Sequence, residues 1–241
     1  MKNQIKLLMS ELKKYDTDRI IDIATGKGEF ISFLSRGLGN FQVITGIDQS
    51  KKILEIARKM NKDERVNFTK MNAYHLEFDD EYFDLACISN SLHHFKNPEL
   101  ILLEMMRVIK KNGFIFINEM YCDGIQSKAQ QNHIRIHHWS AKINRLRNQY
   151  HDETYPKAYL VSLIKKLKLT KLKLFDYFYP VIDPMDARII NSLQNILAPF
   201  LAKIKNDPEY DQLKQDSDDI RKSLLQYGFA PASSIFIIGE K

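Results

Sequence analysis

The chain has 241 residues, 44% of them apolar and 27% charged, the balance of an ordinary globular domain and too apolar for a disordered one. At that length it holds one large domain or a domain with an added lobe, not two complete unrelated domains. The two cysteines, Cys87 and Cys122, form neither a CxxC pair nor a zinc spacing, which argues against a disulfide framework and a structural zinc and fits a reducing, cytoplasmic location. The longest apolar runs, residues 114–117 and 235–238, fall far short of the roughly 18 residues of a membrane span. The net charge of +6 is mild but uneven: residues 123–173 hold eleven Lys or Arg against three Asp or Glu, so that stretch faces either solvent or something acidic.

In chain order, residues 1–14 place Glu11 and several lysines among apolar residues at helical spacing, an amphipathic helix rather than a signal peptide. A strand is predicted over 19–24 and a helix over 30–37, then a strand over 41–47 and a helix over 51–60. Strands follow at 66–70, 83–89 and 114–118, with a helix over 98–110 before the last of these. This alternation implies right-handed βαβ crossovers and a parallel sheet covered on both faces, with ligands at the carboxyl ends of its strands. Beyond residue 120 the rhythm breaks. Residues 121–170 read as three polar, basic helical stretches, followed by a strand at 171–178. A second insertion carries Ile189, Ile190, Leu193, Ile196, Leu197, Phe200, Leu201 and Ile204 in a helical stripe that Pro199 should kink. A strand at 233–238 closes the chain. The insertions, 121–170 and 180–228, leave from the edge where ligands bind, so a helical lid on a single domain spanning 1–241 is expected.

The strongest motif is IIDIATGKGEF at residues 20–30: a buried strand ends at Asp22, and a loop of small residues turns directly into a helix. Gly26 and Gly28 permit backbone conformations and close approach that a side chain would block, beside the free N–H groups of a helix start. The third glycine of a dinucleotide fingerprint is missing, which disfavours nicotinamide binding. Twenty residues on from Gly28, the second strand ends in Asp48, where an acidic side chain can accept both hydroxyls of a ribose; the plain alternative is that it caps the helix beginning near Ser50. Together the two features point to an adenosine cofactor.

These residues, with the pair Asn72-Ala73, FDLACISNSLHHF at 83–95 and EMMRVIKKNGFIFINE at 104–119, resemble in order and spacing the class I S-adenosylmethionine-dependent methyltransferases of the small-molecule and quinone-biosynthesis group. The resemblance covers about residues 19–119 and touches the last strand, leaving the insertions uncovered. It implies an α/β fold, a doubly wound, Rossmann-like, mostly parallel seven-stranded sheet, and S-adenosyl-L-methionine as cofactor. Asp22, Ala24, Gly26 and Gly28 would hold the methionine end, Asp48 the ribose, Asn72 with the Ala73 backbone the adenine edge, Ser89 would lie beside the methionine ammonium, and Gln49, next to Asp48, would also contact the cofactor. The sequence departs from the pattern in three places. Ala24 replaces a frequent glycine, acceptable if its φ is ordinary. Asn72 replaces a common Asp but keeps an acceptor oxygen. Lys111-Asn112-Gly113 replaces a Pro-Gly-Gly turn that Asn and Gly can still form.

A sulfonium methyl is already activated, so such an enzyme needs mainly to align, to exclude water and to remove a proton where the acceptor carries one. Asn90, Ser91, His93 and His94 stand where methyltransferases of amino groups often carry Asp or Asn before Pro-Pro and an aromatic residue; its absence favours an oxygen, a carbon or another small-molecule centre. His93 and His94 should pack behind the cofactor. In the first insertion lie His133, His137, His138, Trp139, Tyr150 and His151. His133 and His137 share a helix face and could supply a general base, and with no carboxylate at a matching position no metal is expected. Glu119, at a strand end, is a further base candidate. The run LIKKLKLTKLKLF at 163–175 reads as a helix end and a lysine-guarded edge strand, or as part of a nucleic-acid groove. The expectation is a cytoplasmic methyltransferase of a small-molecule acceptor. An RNA methyltransferase using the basic lid and a noncatalytic cofactor-binding subunit are the alternatives. Acceptor and oligomeric state stay open.

Overall fold

The computed structural model describes residues 2–15, 17–38 and 40–241. Seven strands form one sheet: β1 (Arg19–Ile23), β2 (Val43–Asp48), β3 (Val66–Lys70), β4 (Phe83–Ser89), β5 (Ile109–Met120), β6 (Thr170–Tyr177) and β7 (Ser234–Glu240). Their order is β3-β2-β1-β4-β5-β7-β6. β1 to β5 are mutually parallel, and β7 runs antiparallel to both of its neighbours. The register sets Asp22 of β1 beside Gly46 of β2 and Cys87 of β4, so the carboxyl ends of three strands meet.

Alternation along each strand feeds two cores. Ile20, Phe116, Phe236 and Ile238 pack on one face with Leu8 and Leu12 of α1 (Lys2–Leu12), Ile31 and Leu34 of α2 (Glu29–Gly37), and Leu54 and Ala57 of α3 (Lys51–Met60). Ile21, Ile115, Ile117, Ile235 and Ile237 pack on the other with Ile101, Leu102 and Met105 of α4 (Pro98–Val108) and Leu160, Leu163 and Ile164 of α6 (Lys157–Lys165). A parallel sheet covered on both sides has apolar residues at successive positions, as Ile20 and Ile21 show.

A separate core joins α5 (Lys128–Leu146), α7 (Ala187–Ala202) and α8 (Tyr210–Tyr227) through Ile136, Trp139, Ile143, Ile190, Leu197, Leu213, Ile220 and Leu224. The Trp139 indole donates to the Leu213 carbonyl at 2.9 Å, and the Asn132 amide donates to the Gly228 carbonyl at 2.8 Å. α5 begins in a capping box of Ser127 and Gln130.

Several expectations change here. Of the three or so helical stretches expected in residues 121–170, two are α-helices, and α6 belongs to the sheet core, so the extra layer is α5, α7 and α8. Pro199 lies in the last turn of α7, which runs to Ala202. Lys111-Asn112-Gly113 lies within β5: Asn112 takes the left-handed φ of 63°, while Gly113 is needed for close approach, since a Cβ there would lie 3.0 Å from the Asp84 carbonyl oxygen. β6 is the edge strand expected from the lysine-rich run. Among the described residues no helix is long and apolar enough to cross a membrane.

Candidate active site

The loop after β1 is drawn tight by its own polar groups. Thr25 N–H donates to the Ile47 carbonyl at 2.8 Å and Gly28 N–H to the Thr25 carbonyl at 2.9 Å, while the Thr25 hydroxyl donates to Asp22 Oδ2 at 2.6 Å. Asp22 is buried, and its Oδ1 has no hydrogen-bond partner among the described residues. Burial lifts the Asp22 carboxyl from the usual 3.8 to about 7, with the Asp48 charge adding to the effect and the Thr25 hydrogen bond opposing it.

Ala24 does not keep an ordinary φ. It sits at 52°, in the left-handed region with Gly26 at 55° and Gly28 at 79°, a conformation that costs a residue with a Cβ about 1–2 kcal/mol. The two glycines do different work. A Cβ on Gly26 would meet no atom within 4 Å, whereas one on Gly28 would lie 3.1 Å from the Phe68 ring. Gly26 therefore keeps space open, and Gly28 lets the loop pack on β3.

Asp48, at the end of β2, accepts from Gly26 N–H at 3.1 Å through Oδ2 and from Ser50 N–H at 2.8 Å through Oδ1. The cap of α3 is Ser50, whose hydroxyl accepts from Ile53 N–H, so capping does not account for Asp48. Gln49 donates to Asn72 Oδ1 at 3.1 Å, and Tyr74 N–H donates to the same oxygen. That contact leaves Asn72 engaged within its own turn.

Three adjoining cavities run along the strand ends. The largest, about 630 Å³, is lined by Ala24, Gly26, Asp48, Gln49, Ala73 and Ser91, with Tyr74, His94, Phe95 and Tyr150 among its further walls. It shares Ala24, Gly26 and Ser91 with a cavity of about 330 Å³ that reaches Asp22 and Ser89. A third, of about 200 Å³, continues past Phe30, Ser89 and Asn90 to Asn118, Tyr177, Tyr179 and Phe236. Asn118 Nδ2 donates to the Ser89 hydroxyl at 2.8 Å, and Asn118 Oδ1 is buried with no partner among the described residues. Asn118 and the two tyrosines were not singled out in the sequence, although the end of the fifth strand pointed to their neighbourhood.

The three base candidates lie outside these walls. Glu119 is fully buried: Oε2 accepts from Ser91 N–H at 3.0 Å and Leu92 N–H at 2.9 Å, and Oε1 lies 2.8 Å from His93 Nδ1. Both oxygens hold the short turn Leu92–His94 in place, so Glu119 is a positioning residue and not an exposed base. His133 Nδ1 accepts from Ala232 N–H at 2.9 Å, and burial lowers its pKa to about 4. His137 turns away to meet His93, His94 and His151; burial first, then the neighbouring imidazoles, hold it down at about 2. Sequence reasoning paired His137 with His133 along one helix and missed this tertiary cluster, because His93 and His94 lie more than forty residues before His137 in the chain.

Comparison with known proteins agrees with the sheet. Residues 21–117 match the family model of the methyltransferase domain. The demethylmenaquinone methyltransferase of Thermotoga maritima is 32% identical over 115 residues, which is 48% of this chain and 49% of that protein; the chain thus matches about half the length of its curated relative. Among solved structures, the YcgJ protein from Bacillus subtilis superposes with a TM-score of 0.59 at 20% identity, covering 100% of this chain and 99% of that one. The phosphoethanolamine N-methyltransferase 2 of Haemonchus contortus, solved in complex with S-adenosyl-L-methionine, gives 0.58 at 18% identity over 99% of this chain and 52% of the other. At these identities the structural likeness speaks for the fold. Across residues 21–117 the chain matches a methyltransferase domain, and its strand order is shared with the solved structures it resembles in fold.

Proposed function

We propose that the protein transfers a methyl group from S-adenosyl-L-methionine to a small molecule held in the cavity of Asn118, Tyr177 and Tyr179. The observation that carries this reading is the chain of three adjoining cavities, with a carboxylate or a bare glycine at each point where the cofactor would need one. The residues fit that cofactor. Asp22 Oδ1 is a buried acceptor in want of a donor, suited to an ammonium. Gly26 borders two cavities with nothing at its Cβ position, so a side chain there would project into the ligand's space. Asp48 lines the largest cavity, where its remaining lone pairs can accept ribose hydroxyls.

When bound, the cofactor supplies an electrophilic methyl whose transfer needs alignment more than acid or base. Phe30, Phe33 and Phe236 give the small cavity apolar walls that exclude water. Asn118 Oδ1 can accept a hydrogen bond from an acceptor O–H or N–H and so orient its lone pair. The curated relative's name, demethylmenaquinone methyltransferase, and the aromatic walls support a hydroxylated aromatic ring as the acceptor class. The helices α5, α7 and α8 are read as the cover of this site. The basic stretch does not favour an RNA substrate: Lys142, Arg145, Lys157, Lys166, Lys171 and Lys173 each pair with a carboxylate.

The test is incubation of purified protein and isotopically labelled S-adenosylmethionine with short-tailed demethylated naphthohydroquinones and, in parallel, with total tRNA. Label in the small molecule alone is expected. Label in tRNA would favour the nucleic-acid reading, and tight cofactor binding with no transfer to any acceptor would favour a noncatalytic subunit.

A further inference from the structure

Four imidazoles from three separate pieces of chain converge behind the largest cavity. His93 and His94 come from the turn after β4, His137 from α5, and His151 from the extended stretch that follows α5. One ring nitrogen of each lies within 4.8 Å of all the others. His137 Nε2 and His151 Nε2 are 3.4 Å apart, which matches the edge, about 3.4 Å, of a tetrahedron whose corners lie about 2.0–2.1 Å from a central ion. His94 is the exposed member of the four.

The hydrogen bonds around the cluster leave lone pairs aimed inward. His93 is 1% exposed, and its Nδ1–H donates to the Glu119 carboxylate at 2.8 Å. In the neutral imidazole Nε2 is then an acceptor, and it has no partner among the described residues. A carboxylate behind an imidazole is the arrangement that orients and strengthens a metal-binding histidine. The side-chain amide of Asn144 lies 2.8 Å from His151 Nδ1. With its oxygen turned to that atom, the amide accepts Nδ1–H and frees Nε2 for the cluster. His137 Nδ1 is likewise buried without a partner among the described residues. A packed core would not gather four imidazoles and leave two of their buried nitrogens, His93 Nε2 and His137 Nδ1, without partners, since each such group forfeits about 1–3 kcal/mol.

We propose that His93, His94, His137 and His151 bind one divalent transition-metal ion of the kind imidazole prefers, Zn²⁺ foremost. The ion ties α5 and the stretch after it to the turn that carries Ser91, His94 and Phe95, all of which line the large cavity. The inference does not depend on the methyl-transfer reading, because it concerns a ligand set and not the cofactor.

Chelator-treated protein is titrated with Zn²⁺ by calorimetry and with Co²⁺ by visible absorption. One ion per chain is expected, with the intense d–d bands of four-coordinate Co²⁺. His137→Ala and His151→Ala should each weaken binding by about 100-fold or more, while His133→Ala, one turn away on the same helix, leaves it unchanged. Circular dichroism checks each variant's fold. X-ray absorption of the Zn²⁺-loaded wild type needs no variant at all: a shell of four nitrogens with imidazole outer scattering supports the site, and a shell of oxygens overturns it. No saturable binding, or binding that survives both histidine substitutions, also overturns it.

Discussion

Replacing Asp48 by Asn removes one charge while preserving shape, and the structure says what each oxygen loses. One oxygen can still accept from Ser50 N–H, now 2.8 Å away, but the other position, which accepts from Gly26 N–H at 3.1 Å, becomes an amide donor or gives up its charge. Charge-assisted hydrogen bonds contribute about 1.5–3 kcal/mol each. Two ribose hydroxyls that met a carboxylate would meet one neutral oxygen, a loss of about 3 kcal/mol and roughly 100-fold in affinity. Half-exposure of the brace to Gly26 limits the cost to the fold to about 1 kcal/mol. Calorimetry with S-adenosylhomocysteine measures the first quantity and urea unfolding the second. A folded Asp48→Asn protein that binds within about threefold of wild type would refute the placement of the ribose.

The glycines separate packing from binding. Gly28→Ala, with φ at 79° and Phe68 at 3.1 Å, should lower unfolding free energy by about 2 kcal/mol; Gly26→Ala should cost less in urea unfolding than Gly28→Ala yet weaken S-adenosylhomocysteine binding at least roughly tenfold. Asp22 carries a pH dependence. Its folded pKa of about 7 lies above the usual 3.8, so the folded state holds the proton more tightly and the ligand-free protein loses stability as pH rises from about 4 to 7, by about 4 kcal/mol at most. Asp22→Asn should remove that slope in urea titrations, and equal slopes in both proteins would contradict it. A Cβ on Gly228 would sit 2.1 Å from the Pro184 carbonyl oxygen at a φ of 74°, backbone against backbone, so Gly228→Ala should destabilise by more than about 3 kcal/mol in the same assay. In Glu119→Gln the amide oxygen can serve Ser91 and Leu92 N–H, which turns the NH₂ toward His93. Long-range ¹⁵N spectra should then show the His93 proton moved from Nδ1 to Nε2, and an unchanged tautomer would show that Glu119 does not set it.

Much of the sheet was legible because it is written in local repeats. Strands β3 and β4 and helix α3 occupy the spans that periodicity assigned, 66–70, 83–89 and 51–60, since each carries its burial pattern within a few residues. β5 begins five residues earlier than expected because Ile109 pairs with Phe83 across an irregular register, and no side-chain pattern announces a bulge. The role of α6 was hidden in the same way. Its Leu160, Leu163 and Ile164 form a stripe like that of any amphipathic helix, and only the sheet decides that they belong to its core.

The loop after β1 and the place of Asp48 at the end of β2 could be read because strand, turn and helix stand next to one another in sequence. Catalytic roles could not, because a side chain's position in the chain does not say what already holds it. Glu119 illustrates the point. At a strand end it resembles a base, yet it accepts two backbone N–H groups and one imidazole from a turn 26 to 28 residues away. The same three bonds place Ser91 on the cavity wall and His93 in the histidine cluster. One buried carboxylate thereby fixes both the wall of the large cavity and the orientation of the histidine cluster behind it, which makes β5 the strand through which cavity and cluster are joined.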